Sequence, residues 1–410
     1  MRIAIIGGGI SGLVAAHLLH PHHDVTLFEA HEYPGGHTHT VQVDVGSGVW
    51  DVDTGFIVYN ERNYPQFTAL LARLGVDSQP SDMSFSVRSE RDDFEYNGAS
   101  VNRLFGQRRN LLRPSVYRMA ADILRFNGAA LRAVQNGARD ATLGEYVAAA
   151  GYSRPFTDHY IVPLAGALWS QPRARVLDMP LEFLVRFLDN HGMLAVNGRP
   201  QWRVVRGGSQ RYVEALIHPF RDHLRLGHRV RSVARHADRV EVDGARFDEV
   251  VFACHADQGL AILADATPAE RDILGAFPYQ ANDVVLHTDA SLLPRRRKLW
   301  AAWNCHLGTD PAAPVAVTYN MNILQTLAAP VTFCVTLNRT ADVPPARVLR
   351  RLTYHHPVFT RAGLAAQQRH TEISGVNRTS FCGAYWGYGF HEDGVRSAQA
   401  VCRRLAPAIA

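Results

Sequence analysis

Three glycines near the N terminus constrain the fold of this chain more than any other feature. Gly7, Gly9 and Gly12 have the spacing G-x-G-x-x-G. They follow an apolar run at residues 2–6 and open a helical pattern at residues 11–20. This order predicts a strand, a tight turn and a helix. The first glycine permits the turn, the second lets a pyrophosphate approach the backbone, and the third lets the helix pack closely on the strand.

An acidic residue after the next apolar run strengthens this interpretation. Residues 25–28 predict a second strand, and Glu29 follows it, seventeen positions after Gly12. An acid at about this distance hydrogen-bonds a ribose hydroxyl in dinucleotide-binding βαβ units, whose helix N terminus binds the phosphates. A secretory signal peptide does not fit, because consecutive glycines interrupt the apolar core that it would need. The sequence therefore predicts a dinucleotide site.

Composition restricts the class of protein. The 410 residues are 47% hydrophobic and 20% charged, which suits a globular protein of two domains or one large one. The chain contains no apolar stretch long enough for a membrane span. Its five cysteines form no C-x-x-C pair, so we expect a reducing, cytoplasmic location and no structural metal site. Histidines 17, 20, 22 and 23 lack further ligands nearby and predict a solvated cluster.

The basic residues leave two interpretations open. Lys298 is the only lysine, so 42 of the 43 basic residues are arginine and the net charge is +5. Residues 100–135 place seven arginines among Leu, Phe, Met and Tyr, and residues 295–298 form a basic run. Both segments are either solvated faces or surfaces for an anionic membrane at its inner side. The excess is too diffuse to predict nucleic-acid binding.

The remaining pattern predicts a mixed architecture. Residues 142–194 are mostly helical in pattern, and a last helix runs to residue 405. Strands that rejoin the nucleotide-binding domain are predicted at residues 229–233, 239–242 and 249–253. Four further strands are predicted as an antiparallel meander at residues 284–287, 299–304, 315–320 and 331–337.

Several segments together resemble the flavin-containing amine oxidase superfamily. Gly35 and Gly36 shortly after Glu29 are similar to its extended FAD motif, although His37 stands where arginine is usual. Residues 206–209, 230–233 and 248–256 resemble the middle FAD-domain segments, and residues 383–394 the C-terminal one. The resemblance implies FAD and an α/β, amine oxidase-like two-domain fold. A Rossmann-like FAD-binding domain (1–75, 200–270 and 370–410) would hold an inserted α+β substrate domain with an antiparallel sheet (76–199 and 271–369).

The resemblance also implies which residues contact FAD. They are Gly7, Gly9, Ile10, Ser11, Gly12, Glu29, Ala30, Gly35, Gly36, His37, Thr54, Gly55, Phe56, Val230, Cys254, Gly383, Glu392, Asp393 and Gly394. The last helix would direct its positive N terminus at the flavin. Asp393 is equally well explained as the N-cap of that helix.

Within the superfamily, residues 190–194, 286–289 and 303–304 are most similar to bacterial FAD-binding proteins associated with cyclopropane-fatty-acid-synthase-like methyltransferases. That resemblance implies removal of hydride from a methylated fatty-acyl or phospholipid chain, on the way to furan fatty acids, with a methyltransferase as partner. Amine or porphyrinogen oxidation, a redox-neutral flavoenzyme such as a sugar-nucleotide mutase, and a flavin-binding accessory subunit remain alternatives.

Candidates for chemistry follow from the same segments. His191, His287 and Tyr385 are candidate bases, each also explained as a hydrogen-bonded structural residue. Trp169, Phe187, Asn282, Trp386 and Phe390 are expected around the substrate. The amine-binding aromatic cage is incomplete, since Gly387 replaces a frequent tryptophan, and Asn282 stands where a lysine is usual. Both departures favour an apolar substrate over an amine.

Overall fold

The computed structural model describes residues 1–46, 48–195, 198–310 and 315–407. In chain order, its strands are β1 (Arg2–Ile6), β2 (Asp24–Phe28), β3 (Thr40–Asp44), β4 (Val49–Asp53), β5 (Val58–Asn60), β6 (Ser78–Ser81), β7 (Phe85–Ser89), β8 (Phe94–Asn97), β9 (Trp202–Val205), β10 (Leu224–Arg225), β11 (Val233–Arg235), β12 (Val240–Val242), β13 (Ala245–Phe247), β14 (Glu249–Phe252), β15 (Tyr279–His287), β16 (Trp303–Leu307), β17 (Ala316–Asn320), β18 (Cys334–Leu337), β19 (Val348–Pro357) and β20 (Thr379–Phe381).

The α-helices are α1 (Ile10–Leu19), α2 (Pro65–Arg73), α3 (Val101–Leu104), α4 (Pro114–Gln135), α5 (Leu143–Ala149), α6 (Arg154–Phe156), α7 (Val162–Trp169), α8 (Arg173–Leu177), α9 (Leu181–Asn190), α10 (Gln210–Ile217), α11 (Ala256–Ile262), α12 (Pro268–Gly275), α13 (Met321–Leu324), α14 (Arg361–Gln367), α15 (His370–Ile373) and α16 (His391–Leu405). One π turn, Thr157–Ile161, joins α6 to α7.

A parallel sheet in the order β10-β2-β1-β14-β20 is the centre of the nucleotide-binding part. Its strands come from the start, middle and end of the chain, so distant segments meet in one sheet. The central strand β1 is buried on both faces, with Ile3, Ala4 and Ile5 fully inaccessible. Such continuous burial is typical of parallel sheets that are covered on both sides. The βαβ unit predicted from the glycine pattern is therefore present.

Helix α1 is buried around most of its circumference. Leu13, Ala15 and Ala16 lie in one core cluster with Val395 and Cys402 of α16. A helix that is apolar on nearly every side needs a partner on every side. Here the sheet, α10 and α16 supply those partners, and the start of α1 therefore has a fixed position beneath the cavity described below.

The second large sheet has the order β19-β15-β18-β17-β16-β7-β8 and corrects the predicted meander. Strands β16, β17 and β18 do pair antiparallel in sequence, but β15 pairs with β18 and β19 instead of β16. The edge strands β8 and β19, and β7 between β16 and β8, were not predicted. Residues 297–299 form a short 3-10 turn, so that strand begins at Trp303. Local alternation identifies strands but not their pairing partners.

Two smaller sheets also differ from expectation. Of the strands predicted at residues 229–253, β14 joins the parallel sheet, whereas β11, β12 and β13 form a separate antiparallel sheet. A further sheet, β5-β9-β6, pairs residues 78–81 with residues 202–205. This pairing joins a segment expected in the substrate domain to a segment expected in the FAD-binding domain. The boundaries near residues 75 and 200 stay predictions. Within the described parts of the chain, no helix is both long and apolar enough to cross a membrane.

Candidate active site

A cavity of about 600 Å³ extends from the glycine turn after β1 to an apolar end formed by α7, α9 and the seven-stranded sheet. The glycine turn, the start of α1 and the end of β2 line one end. Residues 383–385 and 389–391, which lead into the start of α16, line another wall. The carboxyl ends of β1, β2 and β14 meet at this edge of the parallel sheet, where open α/β sheets bind ligands.

Close contacts explain two glycines of the turn, and open space explains the third. Gly7 has φ of +110°, and a Cβ there would lie 2.8 Å from the backbone of Ala253. A Cβ on Gly12 would lie 1.9 Å from the carbonyl oxygen of Gly7, so the helix can approach the turn only with glycine. A Cβ on Gly9 would meet nothing within 4 Å. Gly9 therefore leaves room where a pyrophosphate would approach the helix N terminus.

Glu29 lies at the end of β2 and is buried against the turn. Its Oε2 accepts a 2.6 Å hydrogen bond from the N–H of Gly8, and its Oε1 accepts one of 2.8 Å from the N–H of His31. These bonds hold the carboxylate at the cavity wall. An acid in this position can accept hydrogen bonds from the hydroxyls of a ribose when the pyrophosphate of the same dinucleotide lies on the turn.

The segment after Glu29 closes over the glycine turn. The N–H of Gly35 donates to the carbonyl of Gly8 at 2.8 Å, and Gly36, with φ of +59°, lies against Gly9. The N–H of Phe56 donates to the carbonyl of His37 at 2.8 Å. Residues 35–37 and 54–56 thus form one continuous wall of the cavity.

A cluster of histidines lines the cavity beside this segment. His37 lies with its ring 5.0 Å from Tyr354 and 5.4 Å from His356, and His255 stacks on Tyr279 at 4.3 Å. Burial lowers the pKa of His37 and His356 to about 3 and that of His255 to about 4. These imidazoles are therefore neutral near pH 7. Nε2 of His37 is buried without a hydrogen-bond partner in the described structure.

Two predicted FAD contacts at the start of α16 have other partners. Glu392 accepts hydrogen bonds from the N–H groups of Gln66 and Phe67, at 3.1 and 3.0 Å, and so caps α2. Asp393 accepts from the N–H groups of Tyr388 and Phe390, at 3.0 and 3.1 Å. Neither carboxylate lines the cavity. Glu392 thus satisfies N–H groups at the start of α2 that lack intrahelical partners. The N-cap of α16 is Phe390 and not Asp393, which is the third residue of the helix and bonds back to the segment before it.

Gly394 and Gly12 also lie behind the cavity wall instead of on it. A Cβ on Gly394 would lie 2.7 Å from Ile10, so this glycine lets α16 approach the start of α1. The other predicted FAD contacts line the cavity: Gly7, Gly9, Ile10, Ser11, Glu29, Ala30, Gly35, Gly36, His37, Thr54, Gly55, Phe56, Val230, Cys254 and Gly383.

The three candidate bases lie in different surroundings. His191 lines the apolar end, stacks on Phe187 at 3.9 Å, and donates from Nδ1 to the carbonyl of Phe187 at 2.9 Å. That bond assigns the proton to Nδ1 and leaves Nε2 as an acceptor. Tyr385 lines the cavity nearer the nucleotide-binding part. His287 lies outside the lining, where its Nε2 bonds to Thr336 at 2.7 Å.

Some of the predicted substrate residues line the cavity and others lie outside it. Trp169, Phe187 and Phe390 line the cavity. Asn282 is fully buried behind it, with Nδ2 3.1 Å from Nδ1 of His356, and it is His356 that reaches the cavity. Trp386 packs away from the cavity against Phe277 and His370, which corrects its predicted role.

Sequence reasoning missed the histidines at 255, 356 and 391. His391 is buried, and its Nε2 lies within hydrogen-bond distance of the hydroxyls of Thr38, at 2.9 Å, and Tyr212, at 2.8 Å. Its ring stacks on that of Phe56 with centroids 3.5 Å apart. The pair His355-His356 on an amphipathic strand was the available signal. Among the described residues, no group of three or more His, Cys, Asp or Glu side chains has the arrangement of a metal site.

The cavity suits FAD. The open space beside Gly9, the free helix start and the buried Glu29 accommodate a dinucleotide, while the aromatic walls accommodate a planar ring system. Residues 10–286, more than half of the chain, match the family model "Flavin containing amine oxidoreductase".

Solved structures of the same fold cover nearly the whole chain. Cyclohexylamine oxidase from Brevibacterium oxydans IH-35A is 16% identical with a TM-score of 0.71, over 100% of this chain and 99% of that one. Putrescine oxidase bound to putrescine is 14% identical, with a TM-score of 0.69 and 99% of each chain covered. A CLA-producing fatty acid isomerase from P. acnes is 15% identical, with a TM-score of 0.69, over 99% and 98% of the two chains. The chain belongs to the flavin-containing amine oxidoreductase family and is an FAD-dependent oxidoreductase.

Proposed function

We propose that this protein removes hydride and a proton from adjacent carbons of a fatty-acyl chain and so introduces a double bond. The proposed substrate is a methylated acyl chain of a phospholipid. The observation that carries the proposal is the apolar end of the cavity, which Leu168, Trp169, Phe187, Met193 and Phe390 line. A hydrocarbon chain is recognised by shape and by removal of apolar surface from water.

The distribution of charge disfavours an amine substrate. Among the described lining residues, Glu29 and Arg229 alone carry a carboxylate or a guanidinium, and both belong to the nucleotide end. His228, next to Arg229, donates its N–H to the carbonyl of Glu29 at 2.9 Å. Burial lowers the pKa of His191 to about 4, so it is neutral as well. An ammonium at the apolar end would lose its hydration without gaining an anionic partner.

The aromatic rings at the apolar end also favour a hydrocarbon. Phe187 and Phe390 stack on each other with centroids 5.0 Å apart and an interplanar angle of 22°. Phe187 also stacks on His191, with ring centroids 3.9 Å apart. Ring faces that are stacked in this way are not available as two facing walls around a cation. They form instead one continuous apolar surface along which a chain can lie.

His191 is the side chain best suited to accept the proton. Its Nε2 carries a lone pair because Nδ1 donates to Phe187, and its ring lies 5.9 Å from that of Phe390. When bound, FAD supplies the acceptor for the hydride. The balanced reaction breaks two C–H bonds on neighbouring carbons and forms one C=C bond. Oxygen or an electron carrier would then remove the two electrons from the protein.

A relative of the same fold supports the substrate class. One structural neighbour is named a fatty acid isomerase, so a protein of this fold acts on a fatty acid. Two others are named for the amines cyclohexylamine and putrescine, and amine oxidation is therefore the main rival. A methyltransferase that supplies methylated acyl chains is the proposed partner.

Anaerobic reduction of the bound flavin tests the proposal. Native phospholipids, methylated phospholipids, putrescine and cyclohexylamine are each added to the oxidised protein, and loss of flavin absorbance is recorded. We expect bleaching with methylated phospholipids and none with the amines. Bleaching by the amines alone would overturn the proposal, and lipid conversion without net flavin reduction would indicate a redox-neutral enzyme.

Two variants distinguish chemistry from binding. His191→Phe keeps the stacking on Phe187 but removes the acceptor, so we expect slower bleaching, about 10²-fold or more, with lipid binding retained. His236→Gln is the control, because His236 is exposed and directly follows β11 of the small antiparallel sheet. Equal rates in wild type and His191→Phe would exclude His191 as the base.

A further inference from the structure

An exposed apolar ridge lies on the substrate side of the molecule. Nine large apolar side chains are exposed among the described residues, and five of them occur within residues 101–124. The ridge consists of Val101, Leu111, Leu112, Tyr117 and Leu124, with exposed fractions of 74%, 46%, 87%, 50% and 61%. The other four, Met1, Val49, Leu226 and Val376, are far apart in the sequence. Clustered exposure of this kind marks an interaction surface, whereas isolated exposure does not.

Local contacts show that the ridge is continuous. The hydroxyl of Tyr117 donates to the carbonyl of Leu111 at 2.9 Å, and the ring of Tyr117 lies 5.3 Å from that of Phe105. Phe105 follows Val101 by one helical turn, with its N–H bonded to the carbonyl of Val101 at 3.1 Å. Tyr117 and Leu124 are seven residues apart on α4 and therefore share one face of that helix. The ridge thus extends from α3 along α4.

Positive charge borders this ridge. Residues 101–135 contain seven arginines and one acid, Asp122. Asp122 is buried and pairs with Arg118 and Arg125, so it neutralises only part of that charge. The side chains of Arg103 and Arg132 are exposed and make no ion pair within the described structure. Arg118, Arg125 and Arg132 are spaced seven residues apart and form a second stripe along α4.

A second basic segment continues the same surface. Residues 295–298 are all exposed and all cationic. Arg295 and Arg109 share Asp93, and together with Arg296 they line a small polar depression. The loop is packed against the ridge segment, because a Cβ on Gly106 would collide with the side chain of Leu299. The two arginine-rich segments are therefore one basic surface around the ridge.

The opposite face of α4 connects this surface to the cavity. Val116 and Met119 are buried in a core cluster that also contains Trp303 and Tyr319. Those two aromatic side chains line the cavity. The core behind α4 and the wall of the candidate active site therefore share Trp303 and Tyr319 of β16 and β17.

We infer that this surface docks on a bilayer of anionic phospholipid. Exposed leucine, valine and tyrosine side chains enter the boundary between headgroups and acyl chains, while arginines bind the phosphates. Charge complementarity selects this partner, since seven arginines and a single acid accompany the ridge in residues 101–135. Two of these arginines, Arg103 and Arg132, are exposed and make no ion pair within the described residues. None of the ridge residues lines the cavity, so docking of this surface does not depend on which molecule FAD oxidises.

Vesicle sedimentation with the full-length, FAD-loaded protein tests this inference. Vesicles of phosphatidylcholine are compared with vesicles that contain about 30% phosphatidylglycerol, a range in which anionic lipid attracts basic segments. We expect binding to the anionic vesicles that weakens with salt, and little binding to the neutral ones. Equal binding to both, or to neither, would overturn the inference.

Matched variants locate the surface. Leu112→Glu and Leu124→Glu place an acid on the ridge, and Arg103→Glu with Arg132→Glu reverses two unpaired charges; each change should weaken binding about tenfold or more. Val49→Glu and Arg271→Glu alter exposed residues elsewhere and should leave binding unchanged. Flavin absorbance and circular dichroism monitor folding. Equal loss in the controls, or a dimer in buffer that Leu112→Glu converts to monomer without any vesicle binding, would contradict the inference.

Discussion

The N–H of Gly8 lies 2.6 Å from Oε2 of Glu29, and so the acid at the end of β2 is bonded directly to the turn that follows β1. This bond joins the two parts of the dinucleotide motif within the protein itself. The carboxylate is therefore held in place for a ribose instead of being ordered by it, which reduces the entropy lost on binding.

Replacement of Glu29 should weaken FAD binding without unfolding the chain. Glu29→Gln keeps the size of the side chain but loses the charge that strengthens its hydrogen bonds. Hydrogen bonds to charged groups contribute about 1.5–3 kcal/mol, so we expect about 10-fold to 100-fold weaker binding. Flavin fluorescence titration measures it, with exposed Glu214→Gln as the control. An unchanged Kd would mean that Glu29 does not contact the cofactor.

The glycine turn offers a pair of substitutions with opposite consequences. Gly12→Ala would place a Cβ 1.9 Å from the Gly7 carbonyl, whereas Gly9→Ala would place one in open space. Overpacking typically costs about 1–3 kcal/mol, so Gly12→Ala should lower the free energy of unfolding of flavin-free protein by about that amount. Gly9→Ala should leave it unchanged and weaken FAD binding. Denaturant titration and flavin titration separate the two, and identical behaviour would refute the assignment.

Capping by Glu392 should affect stability more than cofactor binding. Its carboxylate accepts the N–H groups of Gln66 and Phe67 at the start of α2. Loss of an N-cap costs about 0.5–2 kcal/mol, so Glu392→Ala should reduce the free energy of unfolding in that range. The FAD Kd of the folded variant should match that of wild type. Weaker FAD binding with undiminished stability would restore the role predicted from the sequence.

Acid should destabilise the flavin-free protein. The folded pKa values of His37 and His356, about 3, and of His255, about 4, lie below the ordinary value of 6.5. Between these values the unfolded chain binds more protons, so the free energy of unfolding falls as the pH decreases from about 6.5, by up to about 1.4 kcal/mol per pH unit for each group. Burial raises the pKa of Asp53 and Asp393 to about 6. These two groups act in the opposite sense between about 3.8 and 6, but they are fewer.

Denaturant titrations at about pH 7 and pH 5 measure this dependence. His356→Gln should reduce the difference in free energy of unfolding between the two pH values, because it removes one buried imidazole. Exposed His236→Gln should leave the difference as in wild type. A wild-type protein that gains stability on acidification would contradict the neutral state of the cluster.

The sequence by itself determined the βαβ unit and the dinucleotide class. Each depends on residues that are close in the chain: the spacing of Gly7, Gly9 and Gly12, the apolar run before these glycines and the helical pattern after them. Near neighbours decide whether a turn or helix can form, so these features are readable locally. For residues 100–135 the sequence left two interpretations, a solvated face or a surface for an anionic membrane, and the choice between them stays a prediction.

Only the tertiary structure decided which distant residues meet. His37, His255 and His356 share one wall because β14 and β19 bring them beside the segment after Glu29. Asn282 lies behind His356 because the pairing of β15 with β19 buries its side chain. Glu392 caps a helix that lies more than three hundred residues earlier in the chain. The pairing of strands and the packing of helices depend on contacts throughout the core, so the local spacing of residues does not predict them.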